Sequence, residues 1–419
     1  MPTIAGMSTE RLKRIDAYLD ERYLQTGRFA GTLTLVSRKG EVAHCSEQGL
    51  MDVERGKAMR EDTIFRIYSM SKPITSVALM MLYEEGLFQL DDPVAKFIPS
   101  WERLGVWVAG AWPNFVTRAP ERAMTMRDVL SHQSGLTYGF HVRNSIDAAY
   151  RQLGVMERGG PAVLGPAREA KPEAEEETLA KSIEKLAGLP LQFTPGTAWN
   201  YSISTDVCGY LVEVISGKPF DVYLQERIFG PLGMVDSGFS VPDEKIERFA
   251  ACYAAGPGAK RVLQDDPQTS LYRKHPKLFS GGGGLVSTAA DYLRFCRMLL
   301  NGGELDGVRL LSRKTIELMT MNHLAGGKDL AALAPPGQFS EGATSGTGFG
   351  LGFSVLMDQR LAQISGSPGQ YAWGGAASTA FWIDPREELI VIFMTQLLPS
   401  STYPIRRELQ ALVNSAIVD

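Results

Sequence analysis

Residues 65–75 read FRIYSMSKPIT, and the reading of the whole chain turns on what Ser69 and Lys72 do there. They stand three apart, after an apolar run and at the head of a helical pattern over 72–87 that carries Val77, Met80, Met81 and Tyr83. Residues three or four apart share a helix face, so the two side chains can meet. The serine falls where backbone N–H groups are free and the helix dipole favours negative charge, a suitable place for an oxyanion. Burial disfavours an ammonium, and a neutral amine can take a serine proton. Spacing alone decides little, because a chain of this length contains about one Ser-x-x-Lys by chance. A second copy exists at Ser182 and Lys185 in KSIEKL. Ser182 sits among charged residues with no glycine-rich strand to serve it, and is expected on a solvated helix face.

Outward from Ser69, the N-terminal side predicts an amphipathic helix over 8–25, with Ser8 as N-cap and Leu12, Ile15, Tyr18 and Leu19 on one face. GTLTLVSRKGEVAHCSEQG (31–49) predicts a hairpin turning at Lys39-Gly40. DDPVAKFIP (91–99) reads as a turn. From about 100 to 280 the pattern changes to short helical segments, MRDVLSH, SIDAAYRQL, TLAKSIEKLAG and STDVCGYLVEVISG, with little strand alternation. REAKPEAEEE (168–177) reads as a solvated surface run, and 154–178 could lie over a cleft as a lid.

Strand character returns near the C-terminus in FGLGFSVLMD (349–358), QYAWGG (370–375) and STAFWIDPREELIVIFMTQ (378–396), before a helix in PIRRELQALVNSAIV with Pro404 in its first turn. The expected fold class is α+β. One antiparallel sheet is assembled from both chain ends (1–99 and 281–419) and flanked by helices, with an inserted, mostly helical lobe (100–280).

Composition excludes several functions. The 419 residues are 44% hydrophobic and 21% charged, with a formal net charge of −4 and no basic patch, so nucleic acid is not an expected partner. Four cysteines lie far apart without metal spacing, which reads as scattered reduced thiols. Neither a leader pattern nor an 18-residue apolar run is visible, so a cytoplasmic protein with no membrane partner is expected. Gly-x-Ser-x-Gly is absent, which removes the strand-turn-helix nucleophile of α/β-hydrolases. The five histidines show no H-E-x-x-H, so no zinc site is expected. SGGGGLVST (280–288) lacks the Gly-Lys-Ser/Thr of a phosphate loop, and its glycines are expected to let backbones pack closely before a helix at TAADYLRF.

Two more positions bear on Ser69. Tyr201, in TPGTAWNYSISTDV, lies in a loop between a Pro-Gly turn and a helix, where its hydroxyl can reach a cleft and shuttle a proton if a lysine is near. Trp373, Gly374, Gly375 and Ala376, in YAWGGAAST, form a strand edge that a backbone or ligand can approach and that can offer N–H groups to a carbonyl oxygen.

The order of these motifs, with VLSHQSGL (129–136) between them, resembles the serine β-lactamase and penicillin-binding protein superfamily. Within it the chain looks most like the family VIII carboxylesterases on a class C β-lactamase-type scaffold. That resemblance implies Ser69 as the acylated nucleophile, Lys72 as its partner and Tyr201 as general base and then proton donor. It also implies an oxyanion hole from the backbone N–H groups of Ser69 and Ala376, and substrate contacts from Trp373, Gly374 and Gly375. The implied substrate is a small ester with a short acyl chain, and no metal or organic cofactor is needed. Class C β-lactamases carry Lys-Thr-Gly where this chain has Trp373-Gly374-Gly375, and Asn where it has Ile203. Both changes make the pocket less polar, which favours an ester over a charged antibiotic. A cephalosporin-hydrolysing β-lactamase, an acyltransferase and a penicillin-binding sensor that is acylated without turnover are the alternatives.

Overall fold

The computed structural model describes residues 2–156, 177–334 and 345–419. Its centre is an eight-stranded antiparallel sheet. The strands are β1 (Gly31–Arg38), β2 (Glu41–Asp52), β3 (Lys57–Ala58), β4 (Thr347–Phe349), β5 (Ser354–Leu356), β6 (Tyr371–Gly374), β7 (Ala380–Asp384) and β8 (Leu389–Met394). They run in the order β4-β5-β6-β7-β8-β1-β2-β3, so β8 from the C-terminal part joins β1 from the N-terminal part. Lys39 and Gly40 both have positive φ (52° and 82°), the primed turn that suits the twist of a two-residue hairpin.

The run LIVIFM in β8 shows why the sheet is central. Leu389, Val391 and Phe393, with Trp382 of β7, pack against α1 (Thr9–Leu19) and the C-terminal helix. Ile390, Ile392 and Met394, with Phe381 and Ile383, face the opposite way into a larger core that includes α2 (Ser71–Glu84). Both faces are covered, so this antiparallel strand reads as continuous apolar sequence rather than alternation. Each such side chain contributes about 1.5–3 kcal/mol by leaving water, and a one-residue slip would exchange the two faces. The register Leu389↔Arg38 to Met394↔Leu33 is thereby specified.

Three more helices position the site: α3 (Ser204–Ser216), α4 (Ala289–Leu300) and α5 (Ile405–Asn414). Ser8 caps α1 as expected, accepting from the Arg11 N–H, and α1 continues through a π-helical turn over Asp20–Leu24. α2 is buried from Ser71 to Leu82 on every side, as a helix through the middle of a large core must be. The glycine-rich stretch before α4 does pack closely: a Cβ on Gly281 would stand 2.8 Å from the Thr205 carbonyl oxygen.

Several expectations need correction. FGLGFSVLMD is not one strand. β4 ends at Phe349, the chain turns, and β5 begins at Ser354. Phe349, Leu351 and Phe353 are all fully buried, so the apolar alternation is real, but it lies across a turn. Gly352 passes so close to α2 that a Cβ would meet Ser76 Oγ at 2.3 Å. Residues 100–280 carry the four expected helices, but also a hairpin, Val106–Ala111 with Asn114–Arg118. They also hold the strands Cys252–Ala255 and Arg261–Asp265. Ser182 is not solvated. It is fully buried, its Oγ donating to Glu177 at 2.5 Å and accepting from the Met156 N–H at 2.9 Å, while Lys185 pairs with the same carboxylate. Most of the charged run at 168–177 and of the 154–178 segment lies outside the described residues.

Candidate functional site

Ser69 sits in a single 3-10 turn, Tyr68–Met70, that leads directly into α2. Tyr68 adopts a left-handed backbone (φ 42°), an uncommon state for an aromatic residue. Its ring is held in a small buried cluster with Cys252, Ala376, Ala377 and Leu398. The strain therefore sits next to the serine, and the packing of Tyr68 holds it there.

Lys72 lies one turn on and is 1% exposed. Its Nζ donates to Ser69 Oγ at 3.2 Å and to the Gly282 carbonyl at 2.6 Å. Beneath it is Asp206, fully enclosed in the first turn of α3, whose Oδ1 accepts from Ser280 Oγ at 2.5 Å and from the Gly282 N–H at 3.0 Å. Burial raises the Asp206 carboxyl above its usual range, and the nearby Lys72 charge and these two donors oppose that rise. Gly282 thus joins the carboxylate to the lysine, through its N–H on one side and its carbonyl on the other.

Tyr201 reaches the same point from the loop before α3. Its hydroxyl donates to Ser69 Oγ at 2.7 Å, and Lys72 Nζ lies 4.6 Å from its ring centroid. Two histidines secure the loop. His141 Nε2 bonds the Tyr201 carbonyl at 2.7 Å. His132 accepts the Asn200 N–H on its own carbonyl at 2.9 Å and lays its ring 5.0 Å from that of Tyr201. Burial lowers the His141 pKa to about 4, and burial, with the Lys72 charge adding to it, pushes His132 well below 6.5. Both imidazoles are neutral at pH 7.

The third expected element, the glycine-rich strand edge, closes on the Ser69 turn. A Cβ on Gly375 would come 2.5 Å from the Ile67 carbonyl oxygen, so only glycine lets β6 end this close to the serine. At Gly374 the space of a side chain is taken by Arg406, whose Cζ would lie 2.4 Å from a Cβ. Protein, therefore, fills the room that both glycines leave. Trp373 points to the other side, 5.5 Å from the Tyr201 ring and 5.3 Å from Phe349. Together with Trp199 and Tyr138 they build an aromatic wall around the Tyr201 ring.

The structure thus brings Lys72 and Tyr201 within hydrogen-bond reach of the Ser69 oxygen, while the strand expected through Ala376 ends at Gly374 and Ala376 lies in the turn that follows it. The sequence reading missed Asp206, His132, His141 and Arg406. An acidic residue five positions after Tyr201, in the first turn of a helix that continues into the apolar run Val207, Cys208, Leu211 and Val212, was the available signal for Asp206. Among the described residues no group of three or more His, Cys, Asp or Glu is arranged to hold a metal ion, and no helix is long and apolar enough to cross a membrane.

Known proteins agree with this architecture. Protein Rv1367c of Mycobacterium tuberculosis is 35% identical over 377 residues, covering 89% of this chain and 87% of the relative. Esterase EstB of Burkholderia gladioli is 29% identical over 412 residues, covering 94% and 93%. Among solved structures, EstCE1, described as a hydrolase with promiscuous acyltransferase activity, superposes with a TM-score of 0.76 at 25% identity over 98% of this chain and 99% of its own. The beta-lactamase family model matches residues 15–415. That match spans both halves of the sheet and every segment that delivers a side chain to Ser69, and the chain belongs to the beta-lactamase family.

Proposed function

We propose that the protein is a serine carboxylesterase of the family VIII type, acting on neutral esters with short acyl chains. The observation that carries this reading is the placement of Ser69 Oγ between Tyr201 Oη and Lys72 Nζ. Tyr201, as phenolate, takes the Ser69 proton while Oγ attacks the ester carbonyl carbon. A Lys72 ammonium, held by the Gly282 carbonyl and facing Asp206, supplies positive charge beside that phenolate, which favours the tyrosine over the lysine as the base. The tetrahedral oxyanion is held by the N–H groups of Ser69 and Ala376. Collapse breaks the ester C–O bond, and Tyr201 returns the proton to the leaving alcohol. Water then attacks the acyl-serine, losing its proton to Tyr201, and the acid departs as Ser69 recovers its own. The aromatic wall supports an apolar substrate, since among the described residues Trp373 stands where class C β-lactamases place a lysine.

The test is hydrolysis of p-nitrophenyl butyrate beside nitrocefin by the wild type and Ser69→Ala. Ester turnover that vanishes in the variant, with nitrocefin turnover well below it, supports the esterase. Faster nitrocefin turnover would point to a β-lactamase, and a persistent acyl adduct in the intact mass to a sensor. Turnover that survives the substitution sinks the Ser69 mechanism. A second reading, acyl transfer to an alcohol, is favoured by the likeness to EstCE1. Butyl ester formed from vinyl butyrate in the presence of butanol, faster than butyrate is released, would select it.

A further inference from the structure

The oxyanion donor assigned to Ala376 belongs to a peptide group whose other end is gripped by a cation. Arg406 Nη2 donates to the Gly375 carbonyl at 2.9 Å and to the Thr379 carbonyl at 2.8 Å. The Gly375 carbonyl and the Ala376 N–H are the two poles of one planar peptide unit, and in a trans peptide they point in opposite directions. The Thr379 carbonyl also accepts the Gly375 N–H at 2.9 Å, so the guanidinium ties both ends of the turn that presents Ala376.

Two independent features show that this contact is built into the fold. Arg406 occupies the volume that a side chain at 374 would need, its Cζ 2.4 Å from the position of a Cβ there. It is also the second residue of α5, at the positive end of a helix dipole, where a cation is disfavoured. Its neighbour Arg407 turns away to the Gln363 carbonyl.

We infer that Arg406 is a positioning residue for the oxyanion hole: by bonding the Gly375 carbonyl it aims and polarises the Ala376 N–H on the opposite edge of the same peptide. A charged donor at one end of a hydrogen-bonded chain strengthens the next donor along it, and the effect is largest where water is excluded. Developing negative charge in the transition state then feels the guanidinium through the peptide, while a neutral ground-state ester feels it much less. This rests on the esterase reading above and on Ala376 as its donor.

The test compares the wild type, Arg406→Gln, Arg406→Lys and Gly374→Ala in p-nitrophenyl butyrate hydrolysis and in inhibition by n-butylboronic acid, whose serine adduct is tetrahedral and anionic. Arg406→Gln should lower kcat about tenfold or more, less than removal of a whole oxyanion donor. KM should stay within about twofold, and the boronate Ki should rise by the same factor as kcat falls. Arg406→Lys should lie between. Gly374→Ala, which displaces the guanidinium without removing it, should give the same signature. An Arg406→Gln enzyme with kcat and boronate Ki within about twofold of wild type overturns the inference. So does a loss of activity that only follows the folded fraction, with an unchanged boronate Ki for the folded enzyme. Turnover that survives Ser69→Ala would overturn the esterase reading and this inference with it, whereas sensitivity to Ser69→Ala but not to Arg406→Gln removes this inference alone.

Discussion

Tyr201 Oη lies 2.7 Å from Ser69 Oγ although 132 residues separate them in the chain. The tyrosine is 3% exposed, and its loop is tied by His141 at its own carbonyl and by His132 at the neighbouring Asn200 N–H. A hydroxyl so held has one productive position. Replacing Tyr201 with Phe keeps the ring in the aromatic wall and removes the proton carrier. General acid–base groups contribute about 10²–10⁴ in rate, so Tyr201→Phe should lower kcat by that factor with KM little changed. Steady-state kinetics on p-nitrophenyl butyrate give the answer, and a kcat within threefold of wild type would remove Tyr201 from the proton path.

Asp206 offers a separate probe of the lysine. Asp206→Asn keeps an oxygen to accept from Ser280 and the Gly282 N–H, and deletes only the negative charge facing Lys72. Without that charge the ammonium is less favoured, so activity should begin to fall at lower pH on the alkaline side of the kcat profile. A loss of about tenfold at the wild-type optimum should accompany it. A pH–rate profile from 6 to 10 for both proteins decides the matter. If the two curves superpose, the carboxylate is a structural tie and no more.

What could be read in advance follows the range of each interaction. Ser69 and Lys72 were legible because three residues on a helix is a local relation. The Lys39-Gly40 turn and the LIVIFM strand were legible because turn chemistry and burial write themselves into consecutive residues. Tyr201 came from motif order, not from any contact the sequence displays. His132, His141 and Arg406 escaped because each meets a backbone group of a distant segment, and nothing in the local pattern marks which group that will be. Asp206 left a local mark, an acid in the first turn of a helix, but not its partners Ser280 and Gly282. Ser182 was misread for a related reason: its charged neighbours suggested solvent, while Glu177 and the Met156 N–H enclose it. The strand misplaced over 349–358 shows that alternation reports burial and leaves the path of the chain between buried side chains open.

The two histidines that hold the Tyr201 loop make its stability depend on acid. His141 is lowered to about 4 by burial, against about 6.5 in an unfolded chain, and His132 is displaced in the same direction. Between these values the unfolded state binds more protons than the folded one. Stability is therefore fully present above about pH 6.5 and is lost as the pH falls towards 4. The His141 displacement alone corresponds to about 3 kcal/mol. His141→Gln, which can still donate to the Tyr201 carbonyl, should unfold with a shallower pH dependence over that window. Urea melts at pH 7, 6, 5 and 4.5 measure it, and parallel curves for the two proteins would show that His141 does not set the slope.

Gly375 tests the closeness of β6 to the serine without altering Ser69, Lys72 or Tyr201. A methyl there would stand 2.5 Å from the Ile67 carbonyl oxygen and 2.2 Å from Thr379 Oγ1. The threonine can rotate, but the Ile67 carbonyl belongs to the backbone that leads into the Ser69 turn, so relief requires the strand and the turn to separate. Overpacking of this kind costs about 1–3 kcal/mol in stability. Its effect on rate should be larger, since the separation moves Ala376 away from the oxygen it is proposed to hold, and one lost oxyanion donor costs about 10²–10³ in kcat. Gly375→Ala should therefore remain folded at 25 °C by circular dichroism while kcat falls by about two orders of magnitude. Wild-type turnover in a folded Gly375→Ala would show that the strand can retreat without consequence, and would remove the 376 N–H from the reaction.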